Sequence, residues 1–140
     1  MATREQIDVA LLGVLQAIPG LVTSGRILKH WTEVSAAEQP AAFLSKLSET
    51  ITPSNPQGGP VKALRHYEIV LYTYSADPGI PPATPMNAAL DFLEAAFSAV
   101  NPNTLGGLVR WAVLSGKIET DEGKLGPQSV AIVPLEVCPS

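Results

Sequence analysis

Hydrophobic positions near the start of the chain recur at helical spacing. Ile7, Ala10, Leu11, Val14, Leu15 and Ile18 fall on one face. The spacing predicts a helix over residues 4–18, about 22 Å long. Thr3 is placed to cap it, and Gln6 three residues on completes a capping box. Pro19 and Gly20 end it. A second helical pattern, Met86, Leu90, Leu93, Phe97 and Val100, predicts a helix from Pro85 to Val100. Thr84 is its expected cap, Pro85 its first helical residue, and Asn101 with Pro102 its stop.

Between the helices the period falls to two. In His66–Tyr74, Tyr67, Ile69, Leu71 and Thr73 face one way, and Glu68, Val70, Tyr72 and Tyr74 the other. Both faces carry large residues, which predicts a central strand. Arg26–Val34 is rich in β-branched and aromatic residues and is expected to be a strand. Residues 35–51 are ambiguous. Ala36, Ala37, Ala41 and Ala42 favour helix, Pro40 opposes it, and alternation over residues 42–47 favours a short strand, the preferred reading. Leu108–Ile118 and Ser129–Val137 are two further expected strands. The polar stretch Glu119–Gln128 is read as a long hairpin tip between them.

Two loops punctuate this order. Pro53, Pro56, Gly58, Gly59 and Pro60 crowd residues 50–62, where no regular element is expected. Pro78, Gly79, Pro81, Pro82 and Pro85 make residues 75–85 a stiff connection. The elements predict a single α+β domain over residues 1–140. Its expected form is a mainly antiparallel mixed β-sheet of four to five strands with two flanking helices.

Composition narrows the function. With 46% hydrophobic and 16% charged residues, the 140-residue chain can build a core and is not an acidic disordered tail. The lone Cys138 excludes an intrachain disulfide framework. The net charge of -4 lies in the second half. Residues 1–70 balance six basic with six acidic groups, and residues 71–140 carry three basic and seven acidic. No Lys/Arg cluster appears, which argues against a dedicated nucleic-acid binder. Arg4, Glu5 and Asp8 interrupt any apolar leader core, so synthesis in a cytoplasm without membrane association is the expectation.

The sequence assembles no catalytic constellation. His30 and His66 lack metal-ligand spacing, so the structural reading of both is favoured. Cys138 has no basic residue within ten positions to activate it. Leu105, Gly106 and Gly107 lack the Lys-Ser/Thr of a phosphate loop and read as a tight turn. Glu119, Asp121 and Glu122 lack the spacing of a calcium loop and read as a solvated tip. Trp31 and Trp111 read as core, with an interface anchor as the alternative. No catalytic, cofactor or metal residue is expected, and a structural role is favoured over an enzymatic one.

The segment Thr104–Val137 resembles the C-terminal hairpin of phage tail terminators, also called tail completion proteins, the family of the minor tail protein U of lambda-like phages. The run Gln39–Phe43, the strand end Leu71–Tyr74 and the helix opening Met86–Asp91 are similar too, in order, over about residues 5–137. The resemblance implies a mixed α/β sheet with flanking helices and no catalytic residues. It implies a homo-hexameric ring at the head-proximal end of the virion tail, which stops polymerisation of the tail tube protein. The ring offers a surface to neck or head-completion proteins, and DNA passes through it without sequence-specific binding.

Ring closure requires one patch to meet a different patch on the next subunit. Loop residues Pro53, Asn55, Gly58, Gly59, Pro78 and Pro81 are candidates for assembly contacts. Trp111, Glu119, Asp121 and Glu122 are further candidates. The two adjacent glycines would let the first loop order on assembly, and the acidic second half suggests an acidic lumen. The alternatives are another neck or head–tail connector, or a small-molecule-binding α+β domain.

Overall fold

The computed structural model describes residues 2–53, 61–99 and 103–139. Helix α1 spans Arg4–Gln16. The expected capping box is present: the Gln6 amide donates to the Thr3 hydroxyl, and the Thr3 amide donates to the Gln6 side chain. Ile7, Leu11 and Leu15 are buried on the predicted face.

Six strands follow around helix α2 (Ala83–Ser98): β1 (Thr23–Gly25), β2 (Ala41–Pro53), β3 (Val61–Tyr74), β4 (Val109–Leu114), β5 (Glu119–Leu125) and β6 (Gln128–Pro139). They form one sheet in the order β1-β2-β3-β6-β4, with β5 also paired to β6. The β1–β2 pair is parallel and the others antiparallel. The fold is therefore α+β with a mostly antiparallel mixed sheet, one or two strands larger than the sequence suggested.

β3 is central, as its two-sided hydrophobicity predicted. Tyr67, Ile69 and Leu71 join Ala131, Val133, Leu135 and Val137 of β6 beneath the helices. α1 contributes Ile7, Leu11 and Leu15 to this layer, and α2 contributes Met86, Leu93 and Phe97. Burying each large aliphatic side chain there is worth about 1.5–3 kcal/mol. The opposite face holds a smaller cluster of Val34, Ala41, Phe43, Val70 and Tyr72.

Four expectations are corrected. Arg26–Val34 is not a strand. It is an irregular strap across the second face, with a single 3₁₀ turn at Trp31–Glu33. The Tyr72 hydroxyl donates to the Lys29 carbonyl at 2.7 Å, and Trp31 packs against the smaller cluster. The strap's aromatic and β-branched residues cover a sheet instead of extending it, and Ile27 points to solvent.

The expected loop at residues 50–62 is strand at both its ends: β2 continues to Pro53 and β3 begins at Val61, and residues 54–60 lie outside the described residues. Thr50, Ile51 and Thr52 favour extended backbone, and cross-strand pairing overrides the proline signal at the strand ends. α2 begins before Thr84. Pro81 and Pro82 preset the backbone, Pro82 already lies in the right-handed helical region, and the Thr84 amide donates to the Pro81 carbonyl.

The expected tip at Glu119–Gln128 is mostly strand. β4 and β5 both pair with β6, and the chain turns at Gly126 (φ +71°) and Pro127. What separates β4 from β5 is Pro134. Its carbonyl accepts from the Ser115 amide, and on the same side it has no N–H to return. The neighbouring strand breaks at that point, through Gly116 at φ +125°.

Gly116→Ala is expected to destabilise the domain by about 1–3 kcal/mol. An added Cβ would sit 2.9 Å from the Pro134 ring in a backbone conformation L-residues avoid. Urea unfolding reads this, and an unchanged midpoint would refute the account of the strand break.

Candidate assembly surface

The polar chemistry of the domain concentrates where the first turn of α1 meets the sheet. Asp8 is buried on the helix face next to Ile7 and Leu11. One carboxylate oxygen accepts from the Tyr67 hydroxyl at 2.6 Å. The other lies 3.2 Å from Arg26 Nη2 and 3.1 Å from Lys46 Nζ. α1, the strap, β2 and β3 therefore meet at one carboxylate. Arg26 also grips Glu5 with two hydrogen bonds. Arg4 makes a two-pronged contact with Glu49 on β2, and Arg65 Nε lies 2.8 Å from the same carboxylate.

Burial, then the bond to Asp8, hold the Tyr67 phenol protonated well above its ordinary range. The Arg26 hydrogen bond lowers the Glu5 carboxyl, and the Arg4 hydrogen bond lowers that of Glu49. This hub has every partner inside its own chain and reads as a structural tie. Among the described residues no group of three or more His, Cys, Asp or Glu could hold a metal ion. No helix there is long and apolar enough to cross a membrane.

Beyond the hub the β2–β3 hairpin leaves the sheet. β6 pairs with β3 only from Arg65 onward, and β1 reaches β2 only as far as Phe43. Among the described residues, Thr50–Pro53 and Val61–Leu64 pair only with each other, giving a short two-stranded arm. Four residues of strand extend it about 13 Å. Leu47, at a bulge where the arm begins, is 54% exposed, and Ile51 is 57% exposed. A two-stranded ribbon without a covering layer is marginal by itself.

On the far side of the sheet a cleft of about 440 Å³ opens where α2 crosses the break between β4 and β5. Leu90, Leu93, Phe97, Leu114 and Ile118 give it apolar walls, and Glu94 stands at its edge. Ile118 and, outside the cleft lining, Phe92 are left half in solvent.

The candidate contact residues separate into two groups. Pro78 and Pro81 lie exposed in the β3–α2 connection. There Ser75 bonds the Asp77 and Ile80 carbonyls, and the Gly79 amide caps Asp77. That connection is tied to the β5–β6 turn through Ser75 to Pro127 and Ser129 to Pro82. Glu119, Asp121 and Glu122 belong to β5, opposite Ile132, Val130 and Ser129, near the same end of the sheet. Pro53, at the end of the arm, and Trp111, opposite Cys138 on β4, belong to the other end. Asn55, Gly58 and Gly59 lie outside the described residues.

The register also fixes which acids share a face. Glu68, Glu119, Asp121 and Glu136 all occupy positions on the face away from the helices, with His66 among them. The strap shields only the part of this face around Phe43 and Tyr72.

No protein-family model matches the chain, and no curated protein matches it. Among solved structures, a chain from the virion of a native gene transfer agent particle is similar over 95% of this chain and 93% of its own length. The TM-score is 0.42 and the sequence identity 13%.

The sequence reading did not find the Asp8 hub, the arm or the cleft. A signal for the hub was present: an acid adjoining the buried stripe of the first helix. The arm and cleft depend on which strands stop pairing, and no local pattern encodes that.

Removing the hub carboxylate is expected to cost more than removing one donor. Asp8→Ala leaves Lys46 and the buried Tyr67 hydroxyl without that partner and Arg26 with Glu5 alone, and should cost about 3 kcal/mol. Tyr67→Phe leaves Asp8 its two cations and should cost about 1 kcal/mol. Equal losses in denaturant unfolding would contradict the hub.

The pH dependence follows from the same groups. Glu5 and Glu49 titrate lower when folded, so their contribution is complete above the ordinary glutamate value of about 4.3 and is lost below it. Tyr67 titrates higher when folded, so its contribution is complete below about 10 and is lost above it. Thermal melts should show falling stability in both directions. In Tyr67→Phe the alkaline fall should shrink and the acid fall remain.

Proposed function

We propose that this protein is a phage tail terminator. It closes into a homo-hexameric ring on the head-proximal end of the tail tube, stops tube polymerisation and presents a second face to neck or head-completion proteins. Its role is structural, without catalysis or a cofactor. The observation that carries the reading is the β2–β3 arm, whose Thr50–Pro53 and Val61–Leu64 pair with no other strand among the described residues and which leaves Leu47, at its base, and Ile51 in solvent. Joined to the ordered resemblance across residues 5–137, such an arm supports assembly between copies.

Two differently built ends of the sheet suit a cap. A terminator must bind the tube on one side without offering a copy of the tube end on the other. The arm and Trp111 stand at one end. The rigid Pro78–Pro81 connection and the β5–β6 turn stand at the other. The uncovered face bearing Glu68, Glu119, Asp121 and Glu136 supports an acidic lumen, along which like charge would let DNA slide.

Electron microscopy of the concentrated protein, with class averages, is expected to show six-fold rings with a central hole. Added to polymerising tube protein, it should arrest tubes at a fixed end. Another symmetry together with unlimited tube growth would instead favour a different head–tail connector. A ring with a basic channel would refute the acidic lumen.

A further inference from the structure

We propose that the strap over the second face is a lid that opens by itself while the sheet stays folded. Its opening exposes the cluster of Phe43, Val70 and Tyr72 beneath it. Both ends of the segment are fixed to the body of the domain. At one end Arg26 is held by Glu5 and Asp8 of α1. At the other the Pro40 carbonyl accepts from the Val22 and Thr23 amides, at 2.8 and 3.3 Å. Between these anchors, residues 27–39 form no regular element beyond the single 3₁₀ turns Trp31–Glu33 and Ala36–Glu38.

Little holds the middle of this segment down. Among the described residues its backbone–backbone hydrogen bonds, Glu33 to His30, Glu38 to Ser35 and Gln39 to Ala36, all stay within it. The bonds between His30 and Thr32 and between Ser35 and Glu38 stay within it too. The bonds that reach the sheet come from side chains. The Tyr72 hydroxyl donates to the Lys29 carbonyl, and Gln128 Nε2 to the Trp31 carbonyl at 3.4 Å. Of residues 27–39 only Val34 and Gln39 are buried, and Trp31 is half-buried. Gln39 works against closure. Its Nε2 donates to the Val34 carbonyl, but its buried Oε1 has no donor among the described residues. That unmade bond costs free energy, which hydration in the open state returns. The sheet below is held quite differently, since β3 has a paired strand on each side. A segment with few buried contacts and few anchoring backbone bonds opens locally, well below the free energy of global unfolding. Because both ends stay fixed, the middle lifts without releasing the chain, and no second copy is needed.

The test reads thiol labelling of the full chain under native conditions. Val70→Cys places a probe beneath the strap and Ala131→Cys one beneath the helices, both at buried positions. Wild type gives the background of the buried Cys138, which peptide mass separates from either probe. The Val70→Cys thiol is expected to react at least ~10-fold faster than the Ala131→Cys thiol. Its rate should stay nearly flat in low urea, since a local opening exposes little surface. Tyr72→Phe, which removes only the hydroxyl that holds Lys29, should raise the Val70→Cys rate roughly 2–10-fold. Ala41→Cys, in the same cluster, carries the test where Val70→Cys does not fold. Equal rates at the two probes, with the same urea dependence, would overturn the proposal, because the strap would then open only with the whole sheet. A fast rate that Tyr72→Phe leaves unchanged would also overturn it, because the reagent would be reaching the thiol past a closed strap.

Discussion

The ladder between β3 and β6 is the constraint on which the rest of the domain depends. From Arg65 to Tyr74 each residue of β3 has a partner on β6. Side chains alternate strictly along both strands, so this register decides at once what lies beneath the helices and what faces away from them. A slip of one residue would exchange Ile69, Leu71, Val133 and Leu135 for Glu68, Val70, Ile132 and Pro134. Glutamate and proline cannot replace the fully buried aliphatic layer, and that difference fixes the register. The same ladder sets where β3 loses its second neighbour, and so where the hairpin becomes an arm.

The helices are attached to this sheet in two different ways. α2 docks through an apolar stripe of Met86, Leu93 and Phe97. α1 adds to its stripe a directed polar tie, Asp8 to Tyr67, Arg26 and Lys46. Apolar burial supplies more stabilisation but is not directional. The hub adds orientation, because a carboxylate shared by three donors from three elements holds α1 in one position along β3. Arg4 and Glu5 then extend that tie to the exposed surface, at the base of the arm. The arm therefore starts from one of the more firmly tied regions of the molecule, although its far part lacks a covering layer.

What the sequence made legible was periodic and local. Thr3 and Gln6 announced the first cap, Ile7 to Leu15 announced the buried stripe, and Tyr67 to Tyr74 announced a central strand with both faces assigned correctly. The failures share a cause. Trp31, Val34 and their neighbours have strand-like composition, yet composition does not distinguish a residue that pairs from one that covers. Glu119 to Leu125 has turn-like composition, yet β6 is long enough to serve two partners and draws it into the sheet. Pro134 was the available clue that the partner of β6 must break, since a proline within a paired strand leaves one hydrogen bond unmade. The contact candidates fared according to the same division: Pro78 and Pro81 are exposed on a stiff loop as their composition implied, whereas the arm could not be read from residues 50–62.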